Sequence, residues 1–333
     1  MKILNAIETS LVHAAIGAAA GLALSLMVPA RARAQSAAPS SGTPPVSNST
    51  TVASAAPVSN PSPLSPVMRY FADWFPRVTR IQSEQPHWVT PLVTITPRLE
   101  EEYRYDQLWQ AQPHGKALDN FGANKGLELI PFQNTEIILG VPGWIAHNGV
   151  LPKPPKKGAK SKSKPDVDGW ADETFLIKYR LLSANEENGN YILTVFMGFS
   201  APTGSDGNSS GHAIFTPTVA FGKGWGDFDF QSTLGIAVPN GGMQRLGAPL
   251  AYNTTFQYRL FRYFWPEFEV NYTWWPNGEN TGANQVFLTP GLIIGRIPIH
   301  DRIGMTFGAG YQVAATHHPV YNNAVIATGR IPF

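Results

Sequence analysis

Hydrophobic and polar side chains alternate along most of the chain, from about residue 92 to Phe333. In the segment YNTTFQYRL, for example, Tyr252, Phe256 and Tyr258 alternate with polar side chains. A period of two residues is typical of a β-strand with one apolar and one polar face. Turn signals separate about twelve such segments, at about 92–106, 122–131, 134–146, 170–183, 190–201, 213–223, 227–238, 250–262, 266–275, 285–296, 302–314 and 323–333. The pattern therefore predicts an all-β protein built from about twelve antiparallel strands.

The lengths of these segments and of the turns between them favour a membrane-spanning barrel. A tilted strand needs roughly 9–11 residues to cross a bilayer, and most segments are near this length. Short connections such as KGWG and IHD alternate with longer polar ones such as TGSDGNSSGH and PNGENTGAN. Short turns on one side, long loops on the other and an even strand number are typical of bacterial outer-membrane barrels. Aromatic residues near the strand ends fit two interfacial girdles, so we predict a transmembrane antiparallel β-barrel over residues 89–333.

The residues before the alternating region predict export and an unstructured connection. An apolar, alanine-rich stretch ends in a small-x-small site at residues 32–34, an order typical of a cleaved signal peptide over residues 1–34. Residues 35–66 are rich in Ser, Pro and Ala and carry no charge, so we expect a disordered linker. The dipeptide Ser65-Pro66 is suited to begin a helix, which predicts a short helical arm over residues 67–88.

Composition narrows the possible classes of function. Charged residues form 14% of the chain, against about a quarter in a typical soluble domain. The formal net charge is +2, so bulk attraction to nucleic acid is not expected. The chain has no cysteine, which excludes a disulfide framework, a thiolate metal site and a thiol nucleophile. We predict no cofactor and no metal site.

The last predicted strand ends on an aromatic residue. Its alternate positions are all apolar or small, and they are Val325, Ala327, Gly329, Ile331 and Phe333. A closing strand that finishes on an aromatic residue is what the outer-membrane assembly machinery generally reads, so Phe333 is predicted to be an assembly signal. The expected location is the bacterial outer membrane, with its lipid and its assembly machinery as partners.

With the apolar faces turned to lipid, the polar faces must line the barrel interior. The charged side chains predicted to lie in or near the lumen are Arg98, Glu100, Glu102, Arg104, Glu128, Glu136, Lys178, Arg180, Asp227, Asp229, Arg259, Glu267, Glu269, Arg302 and Arg330. Both signs of charge are mixed, and two interpretations remain open. Either these side chains line a pathway for a small solute, or Arg–Glu networks close the lumen.

Two other classes of function are weaker alternatives. The sequence GNSSG at residues 207–211 matches G-x-S-x-G, but it lies in a Ser/Gly loop and lacks the strand–turn–helix context of a hydrolase nucleophile. A secreted β-sandwich binding module also has alternating strands, yet its strands rarely keep an aromatic apolar face through every segment. The adjacent residues His317 and His318 have no third metal ligand close in sequence. We therefore predict a protein that is not an enzyme.

A lysine-rich stretch, KPPKKGAKSKSK at 153–164, interrupts the strand pattern. Its prolines disfavour a helix, so we predict a solvated loop that faces outward. Attraction to the anionic phosphates of the outer leaflet is its functional alternative. A nucleic-acid partner is not expected, because the loop has no aromatic residues on which bases could stack.

Three stretches resemble the outer-membrane barrels of the MetA-pathway phenol-degradation family. They are DETFLIKYRLLSANEENGNYILTVFMGFSAPTGS at 172–205, GKGWGDFDFQSTLGIAVPNG at 222–241 and FQYRLF at 256–261. The likeness covers roughly residues 90–333, departs from the family pattern at the lysine-rich stretch and at DGWADE, and implies an outer-membrane barrel with a transporter-like function. The favoured hypothesis is a channel or porin-like transporter for small solutes, and a closed structural barrel is the main alternative.

Overall fold

The computed structural model describes residues 65–149, 167–205, 207–317 and 319–333. The predicted signal peptide, nearly all of the predicted linker and the lysine-rich stretch 153–164 lie outside the described residues. Within the described part of the chain, no helix is both long and apolar enough to cross a membrane.

Two short α-helices precede the first strand, and a third lies in a loop. Their bounds are α1 Pro66–Ala72, α2 Trp74–Ser83 and α3 Met243–Leu246. Ser65 is the N-cap of α1, because its hydroxyl accepts a hydrogen bond from the backbone N–H of Met68 at 3.2 Å. Pro66 fits the first helical turn, where no backbone N–H is needed. The first helix therefore begins directly after this cap.

The described strands belong to one antiparallel sheet. Their bounds are β1 Glu102–Ala111, β2 Lys116–Gly122, β3 Gly126–Phe132, β4 Thr135–Gly140, β5 Trp144–Gly149, β6 Gly169–Trp170, β7 Glu173–Ala184, β8 Tyr191–Ala201, β9 Ile214–Trp225, β10 Phe228–Ile236, β11 Val238–Pro239, β12 Leu250–Tyr258, β13 Phe264–Trp274, β14 Asn284–His300, β15 Ile303–Ala314 and β16 Asn323–Pro332. The last strand, β16, pairs with β1, so the sheet closes on itself.

Some of these segments join in consecutive pairs, and each pair forms one longer barrel strand. β2 and β3 both pair with β1, whereas β4 pairs with β3 and β5 pairs with β2. The break between β2 and β3 includes Ala123 and Asn124, which have left-handed φ angles of 46° and 57°. β6 and β7 continue each other in the same way, as do β10 and β11. The structure is thus a closed barrel of 12 strands, which confirms the predicted architecture.

Alternating side chains produce an apolar outside and a polar inside. On β7, Phe175, Ile177 and Tyr179 are exposed on the outer face, whereas Lys178 and Arg180 are buried in the interior. A soluble protein has the reverse arrangement, since water favours charged side chains. An apolar outer band around a polar interior is typical of a barrel with lipid on the outside.

The first predicted strand is wrong over most of its length. The sequence predicts a strand over residues 92–106, but β1 begins at Glu102. Residues 85–101, named here the lumenal segment, instead run as irregular chain through the barrel interior. Three prolines in this stretch, Pro86, Pro91 and Pro97, lack a backbone N–H and cannot donate to a strand ladder. The alternating polar residues Thr94 and Thr96 are buried because they contact the barrel wall.

Candidate functional site

The barrel interior is occupied by the lumenal segment, which two buried carboxylates of β13 hold from one side. Glu269 accepts hydrogen bonds from the backbone N–H groups of Val93 at 2.7 Å and Thr94 at 2.6 Å, and from the hydroxyl of Thr94 at 2.5 Å. Glu267 accepts a hydrogen bond from the backbone N–H of Leu92 at 3.1 Å. The two carboxylates therefore satisfy N–H groups that would otherwise be buried without partners.

Buried cations on neighbouring strands bind carbonyl groups of the same segment. Arg104 of β1 donates to the carbonyl of Leu92 at 2.7 Å. Arg330 of β16 donates to the carbonyl of Pro91 at 2.8 Å and to that of the residue before it. Carboxylates thus bind the N–H groups of the segment, and guanidinium groups bind its carbonyls. Hydrogen bonds that involve charged groups are stronger than neutral ones, so the charges of the wall match the polarity of this backbone.

Contacts with β7 and β10 place the segment inside the barrel rather than against one wall. Thr96 donates from its hydroxyl to the side-chain oxygen of Gln231 at 2.8 Å, and the amide of Gln231 donates to the carbonyl of Val89 at 3.1 Å. Lys178 donates to the carbonyl of Arg98 at 3.1 Å. Since β7, β10, β13 and β16 are spread around the closed sheet, a segment that contacts all four must lie in the lumen.

Leu92 occupies a socket formed by three glycines of β14 and β15. An added Cβ at Gly291, Gly308 or Gly310 would lie 2.5, 2.9 or 2.6 Å from a terminal methyl carbon of Leu92. Nonbonded carbon atoms do not approach each other this closely, so any residue larger than glycine would force the leucine or the strand to move. The absence of side chains at these positions therefore creates the space that Leu92 fills.

Trp88 lies in a second socket, formed by Gly222 and Gly224 of β9, where an added Cβ would meet the indole ring. Trp88 and Leu92 belong to a buried apolar cluster whose other members are Val89, Ile192, Trp265 and Ile293. Burying a large apolar side chain contributes about 1.5–3 kcal/mol. The segment is thus held by shape and apolar contact as well as by hydrogen bonds. Neither socket is predicted from the sequence, although glycines at alternate inward positions are a possible signal.

Two residues predicted to line the lumen, Arg98 and Glu100, lie on the lumenal segment and not on a strand. They form an ion pair at 2.7 Å, and Glu100 also pairs with Arg296 of β14. The backbone N–H of Glu100 donates to Glu136 of β4 at 2.6 Å, and Glu136 pairs with Lys178 at 2.9 Å. These contacts join the end of the segment to the wall just before β1 begins.

The remaining predicted lumen residues fall into two groups. Those buried on the strands are Glu102, Arg104, Glu128, Glu136, Lys178, Arg180, Asp229, Glu267, Glu269 and Arg330. Those exposed at the end of the barrel with the short turns are Asp227, Arg259 and Arg302. Asp227 and Arg259 form an ion pair at 2.7 Å, in a turn rather than in the lumen. The role of these residues in a solute pathway stays a prediction, as does the role of Phe333 in assembly.

Helix α2 covers the barrel mouth at the short-turn end. Val78 and Ile81 are fully buried and pack against Leu99 and Ile130. Arg180 of β7 donates to the carbonyl of Ile81 at 2.9 Å, which satisfies one of the free carbonyls at the end of the helix. The helix and the lumenal segment therefore occupy the barrel continuously, from its mouth into the lumen.

Two cavities, of about 260 and 360 Å³, lie at this same end of the barrel. Both are bordered by His87, Arg296 and Pro298. The smaller cavity also touches Arg259 and Trp265. Free space is therefore present beside the beginning of the lumenal segment, where the chain leaves α2.

Acidification should weaken the contact between His87 and the turn that joins β7 to β8. Glu186 accepts a hydrogen bond from the backbone N–H of His87 at 2.6 Å, and its second oxygen lies 2.8 Å from the ring Nδ1. Burial opposes ionisation, but the hydrogen bonds from His87 outweigh it and lower the pKa of Glu186 to about 2. Because the pKa of a free glutamate is about 4.3, ionised Glu186 stabilises the folded state above that pH. This contribution is lost as the pH falls toward the folded-state value.

The measurement is the thermal unfolding temperature of the wild type and of Glu186→Gln at about pH 5 and about pH 2.5. We expect the unfolding temperature of the wild type to fall further between these two conditions, since glutamine has no charge to lose. Equal decreases in the two proteins would contradict this role of Glu186.

The GNSSG motif lies in the loop between β8 and β9. The hydroxyl oxygen of Ser210 is 2.8 Å from a carboxylate oxygen of Asp172 and 2.7 Å from the backbone carbonyl of His212. Asp172 also accepts hydrogen bonds from the backbone N–H groups of Gly204 and Ser210. These contacts stabilise the loop. His318 lies outside the described residues, and across the described ranges no group of three or more His, Cys, Asp or Glu side chains could hold a metal ion.

Comparisons with known proteins give structural likeness at low sequence identity. No family model matches the chain, and no curated protein matches it. The COG4313 outer membrane channel from Pseudomonas putida F1 is similar in structure, with 14% sequence identity, a TM-score of 0.49 and coverage of 74% of this chain and 100% of that chain. The NanC porin has 9% identity, a TM-score of 0.44 and coverage of 69% and 98%. The chain is thus a closed outer-membrane-type barrel by its own strand pairing, and it is similar to these channels at low identity.

Proposed function

We propose that the protein is an outer-membrane channel for small polar solutes, closed in this conformation by the lumenal segment. One observation carries the proposal. Among the described residues, the charged groups of the wall bind the backbone of the segment, and no ion pair between two wall residues spans the lumen. Glu267, Glu269, Arg104 and Arg330 all make contacts of this kind. A barrel closed by its own strands would pair such charges directly across the interior.

Ion pairs on the wall are consistent with this interpretation. Lys178 and Glu136 lie opposite each other on the adjacent strands β7 and β4, and Arg104 pairs at 2.7 Å with Asp106 on the same strand. These pairs run along the wall and do not cross the interior. If the segment left the lumen, the remaining surface would be mostly polar and charged, with Ile192, Trp265 and Ile293 as apolar exceptions. Water would hydrate such a surface readily, so the open state is a hydrated polar passage.

Displacement of the segment would exchange each of its hydrogen bonds for one with water. Hydrogen bonds to charged groups and buried apolar contacts both favour the closed conformation. No disulfide ties the segment to the wall, since the chain contains no cysteine. The occupied lumen also suits the second candidate, a barrel that stays closed and has a structural role. The two candidates differ in one measurable property, which is whether the segment ever leaves the lumen.

A reversible disulfide between Leu92→Cys and Gly310→Cys tests the proposal. An ideal Cβ at Gly310 would lie 2.6 Å from a methyl carbon of Leu92, so the two sulfur atoms can meet after modest adjustment. The reduced protein should show discrete single-channel steps in a planar bilayer. The oxidised protein should open at least about tenfold less often, because the segment is tethered.

The single variant Leu92→Cys is the matched control, since it has the same change in the segment but cannot form the bridge. Its openings should not depend on the redox state. A correctly folded reduced protein that passes no current in any condition would contradict the channel and favour the closed structural barrel.

A further inference from the structure

The N-terminal helices carry an apolar surface that is largely exposed among the described residues. Val67, Met68, Phe71 and Phe75 are between 49% and 65% exposed. Their spacing places them on one side of α1 and of the first turn of α2. Helix α1 has no buried residue. Four large apolar side chains exposed together mark a contact surface, named here the arm patch.

The helices that carry the arm patch lie along the rim of the barrel. The hydroxyl of Tyr70 donates to the carbonyl of Pro131 at the end of β3, at 3.1 Å. The indole N–H of Trp74 donates at 2.5 Å to Glu101, the residue before β1. The guanidinium of Arg302, in the turn before β15, lies 5.1 Å from the ring centre of Phe75. The strands β15, β16, β1 and β3 are adjacent in the sheet, so α1 and α2 follow one sector of the rim.

The lipid-facing surface of the barrel reaches the rim in this same sector. Tyr103 of β1, Ile303 of β15 and Ile331 of β16 are exposed at the short-turn ends of their strands. Each alternates with buried neighbours, so each points outward. The arm patch therefore lies in the same sector of the rim as this outer band. A patch beside the lipid-facing band is most simply covered by the same lipid.

The charge of the helices fits the same occupant. Residues 65–83 contain three arginines and one aspartate, so their formal charge is 3 − 1 = +2. Arg69 and Arg80 are exposed. Apolar side chains on one face with arginines beside them are typical of a helix that lies in a membrane interface. Basic side chains near the surface add attraction to anionic phospholipid headgroups.

We propose that α1 and the first turn of α2 bind the phospholipid leaflet at the short-turn end of the barrel. The arm patch inserts among the upper acyl chains, and Arg69 beside it contacts anionic headgroups. Because the lumenal segment follows α2 directly, this contact anchors one end of the segment at the rim. The inference concerns lipid binding by the helices and does not depend on conduction through the barrel.

The test uses single cysteine reporters, since the chain has no cysteine of its own. Phe71→Cys reports on the arm patch. Arg80→Cys is the matched control, because Arg80 is also exposed but lies about 140° around α2 from Phe75. Each full-length variant is labelled with a polarity-sensitive fluorophore and reconstituted into phosphatidylethanolamine–phosphatidylglycerol vesicles. Lipid with brominated acyl chains then quenches labels in the bilayer, and iodide quenches labels in water.

We expect brominated lipid to quench the label at residue 71 at least about twofold more than the label at residue 80. Iodide should give the opposite order. Quenching of both labels by iodide and of neither by brominated lipid would overturn the proposal, since the patch would then face water. Protection of residue 71 from both quenchers would also overturn it, because a second copy of the chain or its residues 35–64 would then cover the patch. Conductance has no part in these measurements, so they remain decisive whatever the channel experiment shows.

Discussion

Replacing Glu269 with alanine is expected to raise the ratio of open to closed channels by roughly 100-fold. The carboxylate accepts three hydrogen bonds from Val93 and Thr94. Their loss amounts to about 3 kcal/mol in the closed state and to nothing in a hydrated open state. The direction follows because the wild-type residue binds only the closed conformation. The measurement is the open probability of single channels in a planar bilayer.

Asp227→Ala is the matched control for this change. It also removes one carboxylate, but Asp227 pairs with Arg259 in an exposed turn. Its open probability should therefore equal that of the wild type. An unchanged open probability in Glu269→Ala, in a protein that is folded and inserted, would show that the segment does not control conduction.

Filling the socket of Leu92 should have the second largest effect. In Gly310→Ala the new methyl group would lie 2.6 Å from Leu92 and 3.1 Å from the carbonyl of Pro290. Overpacking of this kind costs about 1–3 kcal/mol, so we expect the open probability to rise by roughly tenfold. The barrel itself should still fold, because the clash is with the segment. The measurement is again single-channel recording, together with heat-modifiable migration in gels as a check of folding.

Gly329→Ala on β16 is the control, since nothing lies within 4 Å of a Cβ added there. A double variant separates the clash from a general effect on the sheet. Once Leu92→Ala has removed the leucine, adding Gly310→Ala should cause little further change, so the two substitutions should be strongly non-additive. Additive effects would contradict the socket, as would an equal response to Gly310→Ala and Gly329→Ala.

Eleven of the twelve barrel strands could be predicted from the sequence, because each buries one face and exposes the other. On β13, Glu267, Glu269 and Asn271 are buried, whereas Phe268 is exposed. This alternation is a property of the residues themselves, and any closed sheet with lipid outside would preserve it. The short and long connections, also visible in the sequence, then set the order and the direction of the strands.

The first strand could not be placed in the same way. Residues 92–101 also alternate, but Thr94 and Thr96 face the polar wall from inside, as partners of Glu269 and Gln231. A period of two residues reports that alternate side chains meet different surroundings. It does not report whether the chain is part of the wall or lies within the lumen. For the same reason, the pattern does not show that Arg98 and Glu100 lie on the lumenal segment and not on a strand.

The sequence alone therefore determined the apolar outside, the polar inside and the even number of strands, since these depend on the local pattern of side chains. Only the tertiary structure decided what fills the interior. Leu92 is about 200 residues away in the chain from its glycine socket on β14 and β15. Val93 is 176 residues away from Glu269, whose carboxylate it contacts. Contacts across such separations have no periodic signature, because they depend on the closure of the barrel around the segment. The lumenal segment is thus a property of the folded chain that no local pattern of its residues could reveal.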